Sequence, residues 1–221
     1  ESGDFEAVPV LRFYAVYKAM VRAKVAALSG TAGIAAGYLD LAESLATPPP
    51  PRLVITHGLS GSGKTTFSGE LLMADPTAAT LRMRADVERK RLHGLPPLAR
   101  SRSAVAGGIY TRESTVRTYA RLGEVAGLML DAGWSVLVDA AFLKYAERVN
   151  FHALADRHGA AFAILACSAP FDELCRRLDT RRGDASEATV AVLEKQLDWV
   201  EPITPDEQPF AIYPDQRKEP T

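Results

Sequence analysis

The chain has 221 residues, 47% of them apolar, and a formal net charge of −1. That is enough for one ordinary domain with an appendage, or two small domains, around a full hydrophobic core. The near-neutral balance excludes a whole-protein pull toward nucleic acid or a membrane surface, so anion recognition has to come from local clusters of Lys and Arg.

Cys167 and Cys175, the only cysteines, are too few for a disulfide scaffold and have no zinc-ligand spacing, so both read as buried thiols. No apolar run reaches the ~18 residues of a membrane span and no signal peptide is visible, so no membrane association is expected and a cytoplasmic setting is.

Residues 5–28 place Phe13, Tyr17, Met20 and Ala27 on one side at helical spacing, with Arg12, Lys18 and Arg22 elsewhere, and predict an amphipathic helix. A second helix is expected over about 34–45. Prolines 48–51 cannot continue it and favour an extended spacer. The expected division is therefore a helical segment 1–47, a proline linker 48–51 and a domain 52–221.

After the prolines the pattern alternates. Strands are expected at 53–57, 80–85, 134–140, 162–168 and, as an edge, 210–213, and helices at 65–74, 114–132, 144–158, 170–180 and 186–200. Helices of this length between strands predict an α/β fold, a three-layer sandwich around a central parallel sheet.

The segment Gly58-Leu59-Ser60-Gly61-Ser62-Gly63-Lys64-Thr65 fits G-x-x-x-x-G-K-[ST] in full. It follows an apolar strand and opens a helix, which turns backbone N–H groups and the positive end of the helix dipole toward an anion. Gly58, Ser60, Gly61, Ser62, Gly63, Lys64, Thr65 and Thr66 are thus candidate nucleotide contacts, with Lys64 reaching the β- and γ-phosphates of ATP and the Thr65 hydroxyl binding Mg²⁺.

No guanine-specific N-K-x-D motif follows, and the chain is too short for the helical lid domain of AAA+ motors. Acids and arginines suited to phosphorylating a hydroxyl follow instead. Asp86, expected at the carboxyl end of the second strand, can take a proton from an attacking alcohol, or can cap the helix from Val87 to Leu92. Arg89, one turn on, could hold the acceptor. Asp139 closes the run VLVDAAF and is the second candidate for Mg²⁺; its alternative is a strand-end turn residue.

Arg177 and Arg181 stand at i and i+4, where like charges repel unless an anion joins them, and could close over ATP as lid arginines. A solvated face with Asp179 and Asp184 as partners is the other reading. From Arg82 to Arg121 there are ten Lys/Arg against three acids, which points to an anionic acceptor or to a solvated helical surface.

With GLSGSGKTT, D-x-x-R-K-x-L-x-G from Asp86 to Gly94, VDAAF at 138–142 and R-L-x-x-R from Arg177, the chain resembles small P-loop kinases related to polynucleotide 5′-kinase and zeta-toxin. The resemblance covers about 52–200. It implies Asp86 as general base, Arg89 as an acceptor contact, Lys64 and Thr65 at the phosphates and Mg²⁺, and Arg177 and Arg181 in a lid; Arg148 also falls where that group often has arginine. Ala85 stands where the group commonly has Ser.

The stretch FYAVYKAMVRAKVAAL looks like the last helices of the aminoglycoside-phosphotransferase-like domain that precedes this kinase in some bacterial two-domain proteins. That resemblance implies a preceding domain as a partner. Two functions follow as expectations. The first is an ATP-dependent kinase acting on a hydroxyl of a small molecule or, less favoured, a nucleic-acid 5′ end. The second is an ATP-binding module that regulates a preceding domain or partner.

Overall fold

The computed structural model describes residues 3–101, 107–180 and 184–214. Two helices, α1 (Val8–Leu28) and α2 (Ala32–Ala46), form an antiparallel hairpin. The prolines run without helix or strand into β1 (Arg52–His57). Then come α3 (Lys64–Met73), β2 (Thr80–Arg84), α4 (Ala85–Leu92), α5 (Arg112–Asp131), β3 (Ser135–Asp139), α6 (Tyr145–Arg157), β4 (Ala161–Ala166), α7 (Phe171–Thr180), α8 (Val190–Leu197) and β5 (Ala211–Ile212). The last long helix, expected to fill 186–200, is only α8.

All described strands pair in parallel, in the order β2-β3-β1-β4-β5. Central parallel strands are covered on both faces, and the alternation of side chains along β1 sorts its apolar residues into two layers. Leu53 and Ile55 join Val136, Val138, Leu122, Phe151 and Leu154 on the side of α5 and α6. Val54 joins Leu137, Leu165 and Cys167 against Phe67 and Leu71 of α3. A third cluster ties Leu174 and Leu178 of α7 to Leu193 of α8 and to Leu59 of the glycine loop.

The hairpin corrects one expectation. Phe13 (67% exposed), Tyr17 (53%) and Met20 (48%) face solvent, while Val8, Ala19, Ala23 and Ala26 are buried. Small residues let α1 and α2 approach closely, so the alanine stripe faces inward and the large apolar stripe is left outside. Arg12, expected on the polar side, points into the body: it donates to Leu45 O (3.1 Å) and Gly133 O (2.7 Å) and lies over the Trp134 ring. Of the cysteines, Cys167 is buried and Cys175 only partly so.

Candidate active site

The carboxyl ends of β1, β3 and β2 lie side by side, the place where open α/β sheets bind ligands. β1 leads into the glycine loop at the centre of the sheet. Gly58 has φ +146°, and a Cβ there would stand 2.2 Å from the Cys167 carbonyl oxygen, so only glycine lets the loop pass β4. Gly63 has φ +91° and precedes α3, whose first-turn amides lack intrahelical partners.

Lys64 folds back over the loop, its Nζ donating to Gly58 O (2.8 Å) and Leu59 O (2.7 Å). Gln196 of α8 accepts from the Ser60 amide (2.8 Å) and braces the loop from outside. A cavity of ≈ 410 Å³ adjoins the loop, lined in part by His57, Gly58, Leu59, Ser62, Leu174 and Tyr213. Burial holds the His57 ring below the usual histidine range, and His57 Nδ1 pairs with Phe142 O (2.9 Å).

Asp139 ends β3 beside the loop, and Thr65 Oγ1 donates to its Oδ2 (2.9 Å). The two residues read from sequence as Mg²⁺ candidates are therefore in contact. Burial pushes the Asp139 carboxyl up, opposed by the Thr65 hydroxyl and by Lys64 and Arg84.

Asp86 lies inside the first turn of α4, not at the strand end, and the N-cap position belongs to Arg84. The capping role considered for Asp86 is therefore absent. Asp86 follows by two residues Arg84, which stands in register with Asp139, and so lies at the same end of the sheet. Arg89, 7% exposed, donates to Ile109 O (3.3 Å) and Thr115 Oγ1 (3.2 Å), lies over the Tyr110 ring, and has no acidic partner within ion-pair distance among the described residues.

Arg177 Nη1 donates to Gly61 O (3.2 Å) and its Nε to Glu173 (2.6 Å), so the α7 arginine already touches the loop. Arg176 is paired with the same Glu173. Arg181 lies outside the described residues. Arg148 is fully buried: it grips Glu207 with two bonds (2.6 and 2.8 Å) and donates to Phe142 O, Glu201 O and Pro202 O. It clamps the 201–207 segment to α6.

Residues 53–203 match the AAA_33 family, described as an AAA domain. The chain belongs to that family. An uncharacterised protein of Mycobacterium tuberculosis is 29% identical to this AAA_33 chain over 208 residues, covering 90% of the chain and 41% of that protein. The chain thus spans about two-fifths of the curated relatives it matches. A sugar kinase from Janibacter sp. HTCC2649 has the same fold at TM-score 0.52 and 24% identity, over 74% of this chain and 84% of that one. The Mycobacterium tuberculosis APS kinase CysC, solved with AMPPNP and APS, gives 0.50 at 22% identity, over 76% and 91%. The fold is that of a P-loop kinase.

Within the AAA_33 domain the basic stretch is less available than its composition suggests. Arg82 donates to Thr65 O and Ser68 Oγ, Lys90 (1% exposed) is bound by Glu187, Ala185 O and Pro97 O, and Arg91 pairs with Glu88. Tyr119 accepts from the Phe142 amide and packs edge-on against its ring, so it offers no platform for a base. Gln196 and Arg84 carry no local sequence signal of a site role, because their partners Ser60 and Asp184 are distant in the chain.

Proposed function

We propose that the chain is an ATP-dependent kinase that transfers the γ-phosphate to a hydroxyl acceptor. The observation that carries this reading is the juxtaposition, at one end of the sheet, of the glycine loop, the Thr65–Asp139 pair and Asp86. Thr65 and Asp139 offer hard oxygen donors suited to Mg²⁺, an ion usually held by one or two carboxylates together with substrate phosphates. When bound, the ion neutralises charge on the β- and γ-phosphates.

The remaining steps belong to the chain. Lys64 leaves the Gly58 and Leu59 carbonyls for the phosphates, and the loop amides hold them in line. Asp86 orients the acceptor hydroxyl and takes its proton, and Arg177 meets the charge developing on the transferring group. Arg181 is assigned to the same lid by resemblance alone. Arg89, buried and without a carboxylate partner among the described residues, is a cation available to an acidic group on the acceptor, so sugar acids and phosphorylated alcohols head the candidates. The cavity beside the loop is of a size that takes a nucleoside.

The test is transfer of labelled γ-phosphate to a panel of neutral sugars, sugar acids, phosphorylated alcohols and 5′-OH oligonucleotides. Asp86→Asn should lower transfer by about 10²-fold or more with ATP affinity nearly unchanged; unaltered turnover would remove Asp86 from the mechanism. A polynucleotide substrate would also show a steep salt dependence.

The exposed apolar face of α1 and α2 favours a second reading, a nucleotide-gated module acting on a further domain of a longer polypeptide. The relatives support that occupant, since well over half of their length lies outside the match. ATP binding without stimulation by any acceptor would favour this reading over the kinase.

A further inference from the structure

Arg84 closes β2 with its guanidinium beside Asp139 and Thr65, the two residues proposed to hold the metal. Its Nε lies 3.4 Å from Asp139 Oδ2, its Nη2 lies 2.6 Å from Asp184 Oδ1, and the same Nη2 is 3.5 Å from Thr65 Oγ1. Asp139 Oδ2 therefore serves the Thr65 hydroxyl and the guanidinium together. The Asp139 side chain is 5% exposed, so little water screens these charges. Neighbouring Arg82 makes no such contact: it donates to the Thr65 carbonyl and the Ser68 hydroxyl.

We infer that Arg84 is a resident counter-cation which competes with the divalent ion for Asp139 and so sets the metal concentration at which the site loads. This rests on the proposed placement of the ion at Thr65 and Asp139. A divalent ion held by Asp139 would repel the guanidinium, so loading would weaken or displace the Arg84–Asp139 contact. The shorter bond to Asp184 lets Arg84 yield without leaving the site: the guanidinium pivots on Asp184 and keeps a positive charge beside the phosphates. Arg84 is thus a positioning residue with two opposed effects, weakening divalent binding and assisting transfer.

The measurement is Mn²⁺ titration of the whole chain, followed by electron paramagnetic resonance, with and without ADP. Arg84→Gln should bind Mn²⁺ about tenfold more tightly than wild type. Arg84→Lys, which keeps the charge but not the fork, should fall between them. Arg82→Gln removes a positive charge from the same neighbourhood without touching Asp139, and its shift should be much the smaller. Thermal unfolding and ADP affinity in the presence of a chelator report whether each variant is folded.

Equal affinities for wild type and a folded Arg84→Gln, or equal shifts for the Arg82 and Arg84 variants, would overturn the competition. Should Arg84→Gln not fold, an unshifted Arg84→Lys would do the same. Failure of the wild type to bind Mn²⁺ and ADP together would count against the kinase reading itself. If transfer is measurable, Arg84→Gln should lower kcat while lowering the Mg²⁺ concentration needed for half-saturation.

Discussion

The sheet body and the N-terminal hairpin use the same kinds of residue in opposite ways. In the body, Leu, Ile, Val and Phe fill two layers on either side of the strands. In the hairpin the buried positions are chiefly alanines, while Phe13, Tyr14, Tyr17, Met20, Val25 and Leu28 are exposed. The body buries its apolar stripe within its own packing. The hairpin spends its small residues on the α1–α2 contact, where close approach needs them, and presents a second apolar stripe outward. Apolar periodicity alone therefore identifies a helix without saying which stripe is covered.

The contrast breaks most sharply where the body is most buried. Glu207→Gln leaves the Arg148 guanidinium fully buried beside a neutral group and should cost about 3 to 5 kcal/mol in urea unfolding. A pH signature accompanies it. Burial would push the Glu207 carboxyl up, but Arg148 and the Thr204 amide and hydroxyl outweigh that and hold it below the ordinary glutamate range. Between the lowered and the ordinary value the unfolded chain binds the proton and the native chain does not. The stabilisation is therefore present above the ordinary value and lost as pH falls through the lowered one. The acid limb of stability against pH should be shallower in Glu207→Gln than in wild type.

How much could be read beforehand follows from the distance over which each feature is encoded. The glycine loop was legible because strand, loop and helix are contiguous, and Asp139 because an apolar run ending in an acid is local too. The alternation of strands and helices predicted the parallel sheet. The strand before Asp86 is one residue shorter than expected, ending at Arg84 rather than residue 85, since a strand end depends on where the chain turns into α4. Arg84 was invisible as a site residue because Asp184, its closest partner, lies one hundred residues on. Arg148 was read as a member of a family pattern, and only the fold shows its guanidinium committed to 201–207.

The join between the two regions is the next place to sharpen the contrast. Arg12 reaches from α1 to Leu45 O and Gly133 O and lies over Trp134, so it holds both α2 and the turn before β3. Arg12→Ala removes two charge-assisted hydrogen bonds and a cation–π contact, and should cost about 2 kcal/mol. Hydrogen exchange should rise throughout α1 and α2 while β1, β3 and β4 stay protected. Equal loosening of the sheet would mean that hairpin and body unfold as one unit.

The smallest effect on stability is expected at the outward stripe of the hairpin. Phe13 and Tyr17 lie on the apolar side of the helix, yet both are exposed, so the double substitution Phe13→Ser, Tyr17→Ser should change the unfolding free energy by no more than about 0.5 kcal/mol per site. Association should change far more. A contiguous apolar face without its proposed covering domain promotes contacts between copies. Sedimentation of the wild-type chain should therefore show weak, non-saturating association at high concentration, and the double variant should sediment as a monomer. A defined dimer persisting at micromolar concentration, abolished by the same substitutions, would assign the face to a second copy of the chain and overturn its assignment to a further domain. A loss of several kcal/mol in the double variant would show that the outward stripe stabilises the hairpin itself, and the contrast between the two regions would then fail.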